Sequence, residues 1–516
     1  MKIISYWKYF LLTVIIASVF LLRLHSFNEP FQGDLTTYGY IAHNMLHGKT
    51  LYTYLWDHKP PGIYWAYMMA ELLWGYSQHA IVYLGVAFSA LSILFLYLFL
   101  HRIAGTPAAL LGSAFFALAS NSVVLEANEP NAELFLNTLT IMALWAFALW
   151  SEKRKGPYLF LSGTFFALAT LFKTVVVFPI LFLCLYLLVP FSTTDLRRWI
   201  KDRIVMFAWF LSPAVLFWLA LFGYFGVKGR FSHFWEAVFA YNVHYVNYRG
   251  NMLEHLWNFF STPQLFFHAS LKEIWILVIL SIVWFSWSRE KYCSLRPSFF
   301  VFLFLGLSFS VASPGRYYAH YYQLLLPIFC VLPALFFQDA FARTKQSRRK
   351  YEKSILTALL LFTVIFLGHY QLQYLRMTPF EVSEKKYGKR FTQAYYAAKV
   401  VEKRTQSCES IYQWGGETGI YFYSKRNSVT GIIYIYPLFT GPEEDTTQRV
   451  SRVYNDVVNS MPAVFVYNKA FGKLEQNMFH HFLREKYTLV DTISTYLIFE
   501  AKERQPCQAD EPPGST

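Results

Sequence analysis

Charge is scarce in this sequence. Asp, Glu, Lys and Arg make up 15% of the 516 residues, while 55% are hydrophobic and 20% aromatic. A soluble domain carries about 25% charged residues. The depletion, together with many long apolar runs, excludes an ordinary soluble globule and points to a polytopic membrane protein. The motifs of soluble enzymes are missing too: no P-loop, no GxGxxG after a strand, no HExxH and no CxxC pair. GGETG at 415–419 sits at a turn and lacks the lysine of a phosphate loop. No low-complexity tract or exact internal repeat stands out, which counts against the inverted repeats of transporters. No A-x-A-like site follows the first apolar run (RLHSFNEPFQGD comes next), so that run reads as a retained helix rather than a signal peptide.

Cysteines number five. Cys184 and Cys330 lie in apolar runs and Cys293 in a short basic loop, so they read as free thiols. Cys408 and Cys507 flank the polar C-terminal part; they are either a pair, if that part is extracytoplasmic, or two unrelated thiols.

Apolar runs at 8–25, 79–101, 106–124, 132–152, 157–173, 175–190, 204–226, 271–288, 297–313, 318–337 and 353–374 are candidate spans, several of them short for a ~30 Å hydrocarbon core. The net charge of +14 does not point to nucleic acid, because the basic residues cluster in the short loops between these runs. With the N-terminus inside, Arg102, Lys153–Lys155, Arg197–Arg203, Arg289–Arg296 and Arg343–Lys350 all fall inside. The longer segments 26–78, 125–131, 227–270 and 314–317 fall outside with far fewer Lys and Arg, as the positive-inside rule requires. The same reasoning places GIYWAYMMAELLWGY (62–76) as an interfacial or re-entrant helix on the outer side, because a crossing there would turn every later basic loop outward. About eleven spans result, with an outer C-terminal part. The aromatic segment GRFSHFWEAVFAYNVHYVNYRGN reads as an interfacial lid or a structural belt.

Composition shifts near residue 376. Residues 389–404 and 445–460 have helical spacing; ESIYQWGG, GIYFYSKR, AVFVYN and the pair in YTLVDTISTYLIFEA read as strands. The pattern predicts a transmembrane part over 1–375, a small extracytoplasmic α/β domain over 376–505 and a disordered tail over 506–516.

Polar residues collect on the outer side in four groups: Asp34 with Asp57-His58-Lys59-Pro60-Pro61; Glu126, Glu129 and Glu133; Lys173; and Arg316 with His320. Each has a bland reading. Asp34 caps a helix beginning at Leu35, the glutamates are solvated, Lys173 snorkels, and Arg316 and His320 anchor an aromatic belt. Together they suit phosphate chemistry with proton transfer, because cations stabilise a phosphate leaving group and a carboxylate takes an acceptor's proton.

At these residues the chain resembles the polytopic (GT-C type) polyprenyl-phosphate-sugar-dependent glycosyltransferases, a superfamily that includes protein O-mannosyltransferases, lipid A aminoarabinose transferases and bacterial lipopolysaccharide-core transferases. The resemblance runs over most of the membrane region. It rests on GDLTTYGYIAHNMLHGKTLY, HKPPGIYW, EPNAELFLNTL and GRYYAHYYQLLLP, and more loosely on QWGGETGIYFYSKR and VFVYN. Many relatives carry two neighbouring acids where Asp34 is followed by Leu35, and some have Asp where Asn131 stands. The resemblance implies an integral-membrane enzyme of the cell envelope, of a bacterial inner membrane in style. It would move one sugar, with inversion, from a polyprenyl-phosphate donor to a hydroxyl of a lipid, glycan or protein acceptor. Asp34 would be the base, and Glu129 and Glu133 would orient the acceptor or hold a divalent cation (Mg2+, Mn2+ or Zn2+). Lys59, Lys173, Arg316 and His320 would bind the lipid phosphate, with Asp57, His58, Pro60 and Pro61 in support. Other readings are a ligase or polymerase of lipid-linked glycans, a transporter or flippase, and a membrane scaffold.

Overall fold

The computed structural model describes residues 6–189, 195–248, 250–287, 293–346 and 350–504. The chain opens with α1 (Trp7–Leu22), α2 (Gly33–Leu46) and α3 (Gly62–Trp74). Six apolar helices follow: α4 (Gln78–Ile103), α5 (Thr106–Ala119), α6 (Ala132–Lys153), α7 (Gly156–Thr170), α8 (Val177–Leu188) and α9 (Leu196–Val227). Four more span Lys272–Trp287, Pro297–Ala312, Leu326–Gln346 and Lys350–Leu375. Each apolar run read from the sequence therefore coincides with a helix. Among the described residues, five helices are long and apolar enough to cross a membrane: Gln78–Ile103, Ala132–Lys153, Leu196–Val227, Ala319–Thr344 and Tyr351–Leu375. The shorter ones, such as α1 with 16 residues, reach only ~24 Å. Helix α3, at 13 residues, is shorter still, ~20 Å.

The chain divides into two compact units. One comprises Met1–Phe27, Val82–Gly223 and Arg249–Met377; the other comprises Asn28–Ile81, Tyr224–Tyr248 and Thr378–Thr516. In the first, local sequence sets the helix ends. Pro107, Pro157 and Pro297 sit in the first turns of their helices, where a missing N–H costs nothing. Arg154 closes α6 in the left-handed conformation (φ 56°), so that α7 folds straight back along it. Gly163 in α7 lies against the backbone of α9, and a Cβ there would come within 2.0 Å of the Phe210 carbonyl oxygen.

The second unit has a four-stranded sheet in the order β1-β2-β4-β3, built from β1 (Ile411–Trp414), β2 (Val464–Asn468), β3 (Tyr487–Ile493) and β4 (Tyr496–Ala501). β1 runs parallel to β2, and the other pairs are antiparallel. Every residue of β1 and β2 is buried, as expected for strands covered on both faces. Helices occupy Arg390–Arg404 and Glu443–Ser460. GIYFYSKR departs from expectation: Gly419–Ser424 is a short helix, ended by Lys425 at φ 53°. All six of its residues are buried, and a short run buried all round shows neither the helical nor the strand period. The segment 50–56 is stitched to 428–432. The Trp56 N–H donates to the Gly431 carbonyl at 3.0 Å, and a Cβ at Gly431 would fall 1.4 Å from the Tyr54 carbonyl oxygen.

Cys184, Cys293 and Cys330 are free. Cys408 is disulfide-bonded, while Cys507 and the tail 506–516 lie outside the described residues.

Candidate active site

The stretch Asp57-His58-Lys59-Pro60-Pro61 forms a buried corner leading into α3. Proline fixes φ near −65° and disfavours helix in the residue before it. Pro60 and Pro61 are both buried, and Pro61 (φ −70°) caps α3. Asp57, 2% exposed, accepts from the His58 N–H at 2.7 Å, the Tyr64 hydroxyl at 2.6 Å and the Tyr434 hydroxyl at 2.7 Å. Burial alone would raise its carboxyl, but the hydrogen bonds and charges of His58, Lys59 and Tyr64 outweigh it and hold Asp57 well below the ordinary carboxylate range.

The Lys59 ammonium lies 2.9 Å from His58 Nε2. An ammonium only donates, so Nε2 accepts and the imidazole proton sits on Nδ1. Nδ1 faces Asp57 at 3.1 Å, close enough for charge attraction though outside hydrogen-bond geometry. Burial, then the Lys59 charge, press His58 below its usual value, with Asp57 and Asp34 pulling the other way. His58 is thus a neutral spacer between an anion and a cation. The segment 231–247 packs on the same corner. Asn242 donates to the His58 carbonyl at 2.8 Å, and the imidazole stacks with Tyr245 at 5.7 Å. Trp56 donates to Glu236 at 3.1 Å, and Glu236 pairs with Arg449, whose guanidinium lies over the Trp56 ring at 4.9 Å.

Asp34 does not cap a helix beginning at Leu35. Helix α2 starts at Gly33, and the Gln32 side chain caps it by accepting from the Asp34 N–H at 3.2 Å. Asp34 stands half-buried in the first turn, and no hydrogen bond to its carboxylate is found among the described residues. Its charge is felt at both His58 and Tyr434. The start of α2 is clamped by Thr418, which donates to the Gly33 carbonyl at 2.9 Å and bonds Thr36 and Thr37 at 2.7 and 2.9 Å. Next to Thr418, buried Glu417 takes Arg390 Nε at 2.5 Å and Asn468 at 3.1 Å, and Arg390 also donates to the Tyr436 hydroxyl at 2.8 Å.

The other predicted side chains belong to the first unit. Asn131 caps α6 through its side chain. Glu133, in the first turn of α6, pairs with Lys173 at 2.6 Å, and Lys173 lies 3.7 Å over the Tyr321 ring. Glu126, at φ 54°, meets His320 Nδ1 at 2.9 Å. Glu129 is buried, and Arg316 is half-buried just after Gly315, which turns at φ 63°. Arg23 was not foreseen. Fully buried, it ties the 120–131 loop through Asn121 (2.6 Å) and the carbonyls of Ser120 and Ala127 (both 2.9 Å). Tyr64, Tyr434, Arg390 and Glu417 were also missed, although Tyr64 lies in the HKPPGIYW stretch and Glu417 in the GGETG turn. Among the described residues, His43, His47 and Glu71 form a group of three side chains that could hold a metal ion.

Residues 58–221 match the family model described as dolichyl-phosphate-mannose-protein mannosyltransferase, and the match begins inside the His58-Lys59-Pro60-Pro61 corner. No curated protein matches the chain closely in sequence. Among solved structures, ArnT from Cupriavidus metallidurans bound to undecaprenyl phosphate is similar at a TM-score of 0.59 and 14% identity, over 96% of this chain and 98% of that one. The oligosaccharyltransferase AglB from Archaeoglobus fulgidus, in complex with an inhibitory peptide and a dolichol-phosphate, is similar at 0.56 and 12% identity, over 97% and 75%. The chain shares the fold of these two proteins.

Proposed function

We propose that this chain is an integral-membrane glycosyltransferase of the GT-C type that moves a single sugar from a polyprenyl-phosphate donor to an acceptor hydroxyl. The acceptor is a lipid, a glycan or a protein. The observation that carries the reading is Asp34: a half-buried carboxylate without a hydrogen bond among the described residues, on a clamped helix end, in the same unit as the Lys59 corner. In this reading Asp34 takes the acceptor's proton as its oxygen attacks the anomeric carbon from the face opposite the phosphate. The bond from that carbon to the phosphate oxygen breaks, the configuration inverts, and the polyprenyl phosphate leaves with added negative charge. Lys59 holds that charge, and Asp57, through His58, fixes where the ammonium stands.

Lys173 and His320 are paired with Glu133 and Glu126, so a phosphate role for either means exchanging a carboxylate for the lipid's phosphate. Arg316 is assigned to the same phosphate by its charge. Glu129 and Glu133 are assigned to acceptor orientation. The reading places the N-terminus in the cytoplasm of a bacterial inner membrane, with about eleven spans and the C-terminal α/β elements outside. Transfer from labelled polyprenyl-phosphate sugars in proteoliposomes tests it, comparing wild type with Asp34→Asn and Lys59→Ala at equal expression. Loss of transfer in both is expected. Full activity in both sinks the mechanism.

A further inference from the structure

We propose that His43, His47 and Glu71 form a site for a divalent transition-metal cation of the zinc class, which fastens the far end of α2 to α3. His43 lies in the last turn of α2, and His47, four residues on, caps that helix end with its N–H on the His43 carbonyl. Their rings lie 4.3 Å apart. Glu71 reaches across from α3 and meets His43 Nδ1 at 2.7 Å. One ligand atom from each of the three can be chosen so that all lie within 4.8 Å of one another.

The surroundings favour ligation. His47 Nδ1 lies 2.8 Å from the His43 carbonyl oxygen. A carbonyl only accepts, so Nδ1 carries the proton and Nε2 keeps a lone pair. That backbone contact is how metal-bound histidines are commonly oriented. The His43 ring is held flat by Tyr76, stacked at 3.9 Å and 16°, and Tyr76 is wedged edge-on by Phe422 at 5.1 Å. Glu71 is the one charged residue in the thirteen of α3, an expensive placement for a group with no task.

Two imidazoles and one carboxylate are a zinc-type donor set, whereas Mg2+ and Ca2+ prefer all-oxygen shells. A tetrahedral site with ~2.0–2.1 Å bonds sets ligand atoms about 3.3 Å apart. The His43–Glu71 pair opens slightly to admit the ion, and the exposed His47 turns in. The proton now between His43 and Glu71 passes to His43 Nε2 or to solvent, and a water fills the fourth position. The site lies about 14 Å along α2 from Asp34. It is therefore a structural fastener for the helix that presents Asp34, separate from any ion at Glu129 or Glu133.

The test uses full-length, untagged protein in detergent, stripped with EDTA. ZnCl2 is titrated against a competing chelator dye, and thermal midpoints are read with and without the metal. Wild type is expected to bind one Zn2+ per chain at micromolar or tighter affinity and to melt higher with it, with no response to Mg2+. His47→Ala and Glu71→Gln should each weaken binding at least tenfold. Without zinc, His47→Ala should melt as wild type does, because its side chain is exposed. Absence of stoichiometric zinc binding in wild type would mean that His43 and Glu71 form a plain hydrogen bond, and would overturn the proposal. So would equal affinity in His47→Ala, or a Mg2+ response matching that of Zn2+.

Discussion

Replacing Asp57 with asparagine separates a carboxylate's job from its shape. The carboxylate takes three donors: the His58 N–H at 2.7 Å, the Tyr64 hydroxyl at 2.6 Å and the Tyr434 hydroxyl at 2.7 Å. Asparagine offers one oxygen and one NH2, so the Tyr64 hydroxyl must turn and accept from the NH2 or lose its partner, and every bond to a charged acceptor is gone. A hydrogen bond to a charged group contributes about 1.5–3 kcal/mol, and an unsatisfied buried group costs about 1–3 kcal/mol. Lys59 would also lose the buried anion that balances it through His58. The sum is about 3–5 kcal/mol, the size of a broken buried pair. At about 2–4 °C per kcal/mol for a domain of 150–250 residues, the thermal midpoint of Asp57→Asn should fall by about 10 °C. The assay is thermal unfolding in detergent followed by tryptophan fluorescence, with Tyr434→Phe and the double variant completing a cycle. Tyr434→Phe should cost less alone and add little to Asp57→Asn. If Asp57→Asn melts within about 1 °C of wild type, the account of this corner is wrong.

The same carboxylate predicts acid sensitivity. Its folded pKa lies below its unfolded value of 3.8, so its contribution is present above about pH 4 and is lost as pH falls below that. Midpoints measured at pH 5 and pH 3 should drop further for wild type than for Asp57→Asn; equal drops would remove Asp57 as the cause. Asp34→Asn should lower the transfer rate by about 10²–10⁴ while leaving the thermal midpoint within a degree or two, and a large loss of stability would instead make Asp34 structural. Glu133→Gln breaks the buried Glu133–Lys173 pair and should cost about 3–5 kcal/mol, most of which Glu133→Leu with Lys173→Met recovers; no recovery in the double variant argues against that pair as the cause. Gly163→Ala puts a methyl against the Phe210 carbonyl and should cost about 1–3 kcal/mol, read as a lower midpoint.

The apolar helices were legible because apolar runs bounded by basic loops leave a strong, local signal. The corner was legible in part: two prolines after a charged triplet announce a rigid turn, so Lys59 and its supports stood out. What packs on it did not. Tyr434 comes from far along the chain, and nothing near it in sequence marks it as a donor to Asp57. Arg23 went unremarked for a related reason, since nothing in its own segment announces the Asn121 side chain and the Ser120 and Ala127 carbonyls that only folding brings to it. Residues 419–424 were misread because burial on every side erases the periodicity on which a strand or helix assignment rests. The His43, His47 and Glu71 cluster joins two helices, and an i, i+4 histidine pair without its third ligand is unremarkable.

The contact between Asp57 and Tyr434 joins positions 377 residues apart, and that between Gly33 and Thr418 joins positions 385 apart. A ribosome adds ~5–20 residues per second. The segment carrying Asp34 and Lys59 therefore waits roughly 20–75 s between its own synthesis and the arrival of the residues that lock it. For that interval the nascent chain holds a half-made corner. A polypeptide truncated before residue 418 would lack the Thr418 clamp on the helix start that carries Asp34.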